Sequence, residues 1–208
     1  MKTIKCFVVC LAMLLPITTQ IFAQSVPRTE RGTSTLEPFI SICLPTGTAD
    51  MNNFLKSVYT DSKDRGLLAS GIGIRTGYFP LNKFESYIKI MANRGADFKS
   101  SQNSYSFVNN WGFSTGFEYY FGNIKDLVVF SANIGIGNEQ VDYCYSDLCV
   151  HYSNWVLEFG ATFWLTRLGI NVSYTPAIVK GSPRSASNIE NIPEMSLNNI
   201  SFGLRFRF

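Results

Sequence analysis

The only histidine of the 208-residue chain, His151, opens the stretch His151-Tyr152-Ser153-Asn154. On an extended backbone, side chains two residues apart share a face, so an imidazole and a hydroxyl stand on one side there. Such a pair is the core of nucleophilic catalysis, and it works only when an acid orients the ring. Glu158 is near in sequence but has the opposite parity, whereas Glu139 and Asp142 could approach from the preceding segment. His151 and Ser153 are thus weak catalytic candidates with no assigned third member. Cys144 and Cys149 flank Tyr145-Ser146-Asp147-Leu148, and in an oxidising compartment they would close a small loop. Cys43 shares the parity of Ser41 and is expected as a buried free thiol. No metal-ligand spacing, phosphate-binding glycine loop or paired catalytic carboxylates stand out, so no metal or cofactor is expected.

A second set of chemically capable residues is Arg75, Lys89, Glu118, Glu158, Arg205 and Arg207. Each is an isolated charge among glycines and small polar residues. What such charges can do depends on the elements that carry them.

Charged residues make up only 16% of the chain and aromatics 14%, against about 25% charged in an average soluble domain. The formal charge of +3 is too small to suggest nucleic acid. Lys2 and Lys5 precede an apolar stretch from Cys6 to Ile17, and Ile21-Phe22-Ala23 offers a cleavage point before Gln24. Residues 1–23 thus read as a secretory signal peptide, its apolar run being too short for a spanning helix. Residues 24–35 form a flexible lead, and 36–208 a single domain.

Beyond Gln24 no continuous apolar run reaches spanning length, so membrane residence requires strands closed into a barrel. Strict alternation marks 111–121 (Trp111, Phe113, Phe117, Tyr119, Phe121), 127–137, 155–165 and the C-terminal segment from Ile200 to Phe208. Weaker alternation marks 37–44, 68–79, 84–94 and 167–178, giving eight strands. The connections alternate as well. Pro80–Lys83, Gly122–Asp126 and Thr166-Arg167 are short, whereas 45–67, 95–107, 138–152 and 179–195 are long. Short periplasmic turns and long extracellular loops are the habit of outer-membrane barrels.

The parity opposite the large apolar residues carries Gly71, Gly73, Gly77, Gly112, Gly116, Gly135, Gly160, Gly169 and Gly203. A wet strand face would carry more charge, and glycine weakens a strand that has nothing to compensate. A narrow eight-stranded lumen needs small residues. The expected fold is therefore an all-β, eight-stranded antiparallel up-and-down transmembrane barrel with lipid on its apolar face. A soluble lipocalin-like barrel is the rival. The six isolated charges then face inward, where they must pair; Glu118 and Glu158 are expected to meet the cations and leave no open pore. Tyr78 and Phe121 are candidates for the periplasmic aromatic girdle, and Trp111, Trp155 and Tyr174 for the outer one.

The signal segment ending Phe22-Ala23-Gln24, the eight alternating strands and the terminal Phe202-Gly203-Leu204-Arg205-Phe206-Arg207-Phe208 resemble the small outer-membrane β-barrel family common in Bacteroidetes. More distantly they resemble the OmpA transmembrane domain and OmpX-type barrels. The resemblance implies a cell outer membrane location and a terminal Phe208 read by the barrel-assembly machinery. No peptidoglycan-binding domain follows the barrel, so cell-wall anchoring is not implied. The stretch from His151 to Asn154 is similar to the His-x-Ser-Asn motif of PagL-type lipid A deacylases, which implies base and nucleophile roles for His151 and Ser153. That family's glycine-rich continuation is missing, since Trp155 follows Asn154.

The expected role is non-enzymatic: a monomer embedded in outer-membrane lipid, structural or engaging an extracellular ligand through its loops, without nucleic acid. A small porin or gated channel is the first alternative and a lipid A deacylase the second.

Overall fold

Alternating apolar and polar residues leave each strand with one face for lipid or core and one for polar neighbours. In a computed structural model this pattern forms β1 (Ser34–Thr46), β2 (Leu67–Leu81), β3 (Phe84–Asp97), β4 (Ser106–Phe121), β5 (Val128–Tyr145), β6 (Leu148–Leu165), β7 (Leu168–Thr175), β8 (Arg184–Ser185) and β9 (Asn198–Phe206). The residues described are 30–46, 53, 54, 57, 67–97, 106–122, 128–145, 148–185, 192–196 and 198–208. The expected signal peptide and most of the 45–67 connection lie outside them.

All strands but β8 form one closed antiparallel ring in which β5 pairs with β6 and β9 closes onto β1. At the seam, Phe208 donates its N–H to the Leu36 carbonyl (3.0 Å), and Leu36 returns the bond (3.4 Å). Closure leaves no sheet edge in the ring, as a membrane requires. Tight turns leave only Asn82-Lys83 between β2 and β3 and Thr166-Arg167 between β6 and β7. Lys83 (φ 65°) and Thr166 (φ 55°) take the left-handed conformation there.

The faces divide as the parity predicts. Ile72 is 67% exposed and Ile90 62% on the outside, whereas Arg75, Glu118 and Thr162 are at most 3% exposed inside. Gly77 shows why the lumen needs small residues, because a Cβ there would lie 1.9 Å from Glu85 Oε1.

Two sequence expectations are corrected. β1 begins at Ser34, two residues inside the expected lead, and the preceding turn is tied down by Gly32 N–H to the Phe79 carbonyl at 2.8 Å. The expected loop 138–152 is instead strand nearly to its tip: β5 and β6 run 18 residues each and pair from Val128↔Leu165 to Tyr145↔Leu148. A membrane span would take only about 9–11 residues, which 128–137 alone could supply; the rest of the hairpin continues past them as a projection. The 179–195 connection folds back on this projection, through β8 (Val150↔Ser185, His151↔Arg184) and the bridge Gly181↔Met195.

Within that hairpin the alternation changes sign. Lower on β5, Ala132, Ile134 and Ile136 face outward while Ser131 and Asn133 face the lumen; higher up, Asn138, Gln140 and Asp142 face outward and Val141 inward. β6 matches, with exposed Trp155 and Phe159 below and Ser153 and His151 above, where Val150 and Tyr152 turn inward. These inward apolar groups are fully buried, as are Leu148 and Met195, and Tyr152 donates its hydroxyl hydrogen to the Pro193 carbonyl (3.0 Å).

Candidate functional site

Two places gather chemically capable side chains: the lumen, and the outer face of the projecting hairpin. In the lumen, strand parity and register bring Glu37 (β1), Arg75 (β2), Glu85 (β3), Glu118 (β4) and Arg205 (β9) to the short-turn end, joined by Arg207 just beyond β9. Arg75 reaches Glu37 (2.8 Å), Glu118 (2.5 Å) and Glu85 (3.2 Å). Arg205 donates from Nε to Glu37 Oε2 (3.0 Å) and from Nη2 to Glu118 Oε2 (2.9 Å). Arg207 donates from Nε to Glu37 Oε1 (2.6 Å) and stacks over the Trp164 ring at 4.3 Å. Tyr120 adds a hydroxyl bond to Glu85 Oε2 (2.6 Å). Three acids and three arginines are thereby fully engaged, the forked guanidiniums each serving more than one carboxylate.

One layer further out, Lys89 Nζ meets Glu158 Oε1 at 2.6 Å, and Ser114 donates to Glu158 Oε2 at 2.6 Å. Above that pair lies a cavity of about 40 Å³ lined in part by Cys43, Asn93, Ser173, Thr175 and Asn199. It has room for a few waters. Cys43 is a buried free thiol whose sulfur lies 3.6 Å from Asn93 Oδ1.

All six charges named from the sequence face the lumen, and the structure adds Glu37 and Glu85. Both carry the parity of Ser41 and Lys89 respectively, which is the signal that could have found them. Glu139 is a third addition, buried higher in the lumen.

On the outer face of the hairpin, register sets Asp142 opposite His151 and Gln140 opposite Ser153. His151 Nδ1 lies 2.6 Å from Asp142 Oδ1, so the carboxylate that could orient the ring comes from β5. His151 Nε2 meets Gln140 Oε1 at 2.8 Å, and Gln140 Nε2 donates to Ser153 Oγ at 2.8 Å. The glutamine amide therefore stands between imidazole and hydroxyl. The ring and the hydroxyl are each bonded to the glutamine amide and not to each other. Turning the amide over would give Nε2 a donor but leave Ser153 bonded to glutamine. Glu158, on the opposite face, plays no part.

Cys144 and Cys149 are disulfide-bonded directly across the hairpin, with S–S 2.05 Å. They clamp paired strands rather than a loop. Trp111, Trp155 and Tyr174 are 54%, 50% and 44% exposed on the outward face. Trp111 pairs with Gln140, and Trp155 with Asn138, so both tryptophans sit where the outward face of β5 turns polar. Tyr78 and Phe121 are exposed at the short-turn end, and Phe208 is exposed beside the seam it closes.

No protein-family model matches the sequence, and no curated protein matches it either. Among solved structures the chain is similar to Ail, the attachment invasion locus protein of Yersinia pestis. That similarity has 13% identity and TM-score 0.48, and covers 86% of this chain and 99% of that one. It is also similar to Neisserial surface protein A, with 10% identity and TM-score 0.49 over 84% of this chain and 97% of that one. A third is the outer membrane protein OprG of Pseudomonas aeruginosa, with 11% identity and TM-score 0.43 over 88% and 99%. By its own strand order, this chain is a closed eight-stranded antiparallel barrel with one two-residue strand outside the ring.

Proposed function

We propose that the protein is an outer-membrane barrel with a sealed lumen, whose role is to hold a rigid polar hairpin at the cell surface for contact with an extracellular partner. The observation that carries this reading is the reversal of sidedness along β5 and β6. Below Asn138 the outward face presents Ile134, Ile136 and Phe130, each about half exposed. A soluble monomer rarely bears an apolar patch larger than a few hundred Å², and here the exposed apolar residues run around the whole ring. Above Asn138 the outward face carries Gln140, Asp142, His151 and Ser153, as water demands. Arg184, paired with His151, extends this row, so the projecting sheet offers both charges on a framework clamped by a disulfide. That surface suits a polar partner with mixed charge.

In this reading the lumen does not conduct, because the glutamate–arginine cluster fills its inner end. His151 and Ser153 serve the surface and not a hydrolytic reaction, since Gln140 intercepts both.

Electrophoresis of the envelope-fraction protein with and without boiling is the test. A closed membrane barrel resists detergent until heated and then shifts in mobility, and it stays with the membrane in alkali or urea. Release as soluble material without a shift would overturn the reading and turn the apolar face inward. With the shift in hand, planar bilayers should record no stepwise conductance. Lipid A from cells expressing the protein should keep its acyl chains by mass spectrometry; a lost chain restored by Ser153→Ala would establish the deacylase instead.

A further inference from the structure

Acids outnumber bases by one among the inward-facing residues whose side chains are described. Among the described residues that face inward, Arg75, Arg205 and Arg207 answer Glu37, Glu85 and Glu118, and Lys89 answers Glu158. Glu139 is the remainder. It is 2% exposed, and its bonded partners are two neutral amides, Asn110 (2.9 Å) and Asn199 (2.7 Å), both donating to Oε2. Lys89 acts on it only at a distance, and a buried carboxylate with no bonded cation is costly.

The atoms around it have a common character. Glu139 Oε1, Asn110 Oδ1 and both amide atoms of Asn154 are buried without a hydrogen-bond partner. Asn154 is 1% exposed and lies directly across from Glu139 in the β5–β6 register. Orphaned buried polar atoms are rare enough in folded proteins that each needs an explanation. The carboxylate decides the amide orientation of Asn110: it can only accept, so the amide must present Nδ2 to it, leaving Oδ1 free. The free atoms are thus mainly oxygens, and no nitrogen base or thiolate is among them.

We infer that Glu139, Asn110 and Asn154 form an internal binding site for one hard, oxygen-seeking cation at the outer end of the lumen. Carboxylate and carbonyl oxygens are the ligands such ions prefer. Charge balance among the described residues points to a monovalent ion, since one positive charge neutralises the inward acids and bases counted above and two would overshoot. Asn199 bonds Glu139 and also lines the 40 Å³ cavity below, so water there can complete the ion's shell. The backbone at Gly181 covers the site from the 176–197 connection, where even a Cβ would come within 2.7 Å of Asn154 Oδ1. The site goes beyond the surface role proposed above and does not depend on the identity of a partner.

The full chain, refolded in detergent micelles, tests this by its thermal unfolding midpoint in sodium, potassium, choline and calcium chlorides at equal ionic strength. Sodium or potassium should raise the midpoint over choline by on the order of 5 °C and then saturate. Glu139→Gln should abolish that difference. Crystals of the unaltered protein soaked in thallium(I) should show an anomalous peak beside Glu139 Oε1, a readout that does not require the variant to fold. Equal midpoints in all four salts would overturn the site, as would a sodium effect that survives in Glu139→Gln. A crystal without the peak would do the same. A rise with calcium alone would overturn the monovalent assignment.

Discussion

The lower and upper halves of the β5–β6 hairpin share one backbone register and opposite sidedness. Below the Asn138↔Trp155 pair, apolar groups face out and the polar groups face a narrow lumen. Above it, polar groups face out and Val141, Val150 and Tyr152 are buried inside, as is Met195 of the covering connection. No bulge or break separates the halves; pairing runs continuously through the reversal. Period-2 alternation therefore specifies a strand, while the sign of the alternation specifies the solvent that strand meets. The two halves also differ in what fills their interiors: a network of paired charges in one, and in the other a layer of Glu139, Asn110 and Asn154 beneath buried apolar groups and a disulfide.

The largest expected effect is in the lower interior. Glu37 accepts from Arg75, Arg205 and Arg207, so Glu37→Ala leaves three buried cations under-compensated. It should cost about 3–5 kcal/mol, read as a fall in the urea midpoint of the refolded protein. A loss under about 1 kcal/mol would mean that this cluster behaves like a solvated surface and would erase the contrast between the halves. Next comes a matched pair of substitutions on one face of one strand. Ile134→Arg should cost about 2–4 kcal/mol in a lipid vesicle, and Gln140→Arg no more than about 0.5 kcal/mol. Equal costs would place the solvent boundary somewhere other than Asn138. The smallest effect concerns the upper half alone. Replacing Cys144 and Cys149 with serine should cost about 2 kcal/mol or less, given the short loop they close. Amide hydrogen exchange should quicken at 141–152 and stay unchanged at 130–136. Acceleration in both would show that the halves unfold as one unit.

Much of this was legible beforehand. The large outward side chains of 111–121 and 155–165 announced their strands, and parity alone placed Arg75, Lys89, Glu118, Glu158, Arg205 and Arg207 in the lumen. Glu37 and Glu85 escape because each lies in the first two residues of a weakly alternating segment, where one charge looks like a strand end. The projecting hairpin escaped for a different reason. At Asn138 the polar residues move to the outward parity, so a search for outward apolar groups loses the strand there. The absence of glycine and proline between Gly137 and Gly160 was the countervailing sign, since turns usually need one of them. The interposition of Gln140 between His151 and Ser153 was not legible, because it depends on the pairing register of β5 with β6.

The arginine–glutamate cluster also bears on the order of events during assembly. Two of its three cations, Arg205 and Arg207, come from the last residues of the chain, whereas Glu37, Glu85 and Glu118 lie far earlier. Joining the ends is a contact of nearly maximal sequence separation, the slowest kind to form. Until it forms, the three acids share Arg75 alone inside a ring still open to water. Neutralisation and ring closure thus fall in a single step, because the strand that closes onto β1 is also the one that brings Arg205 and Arg207 to the acids.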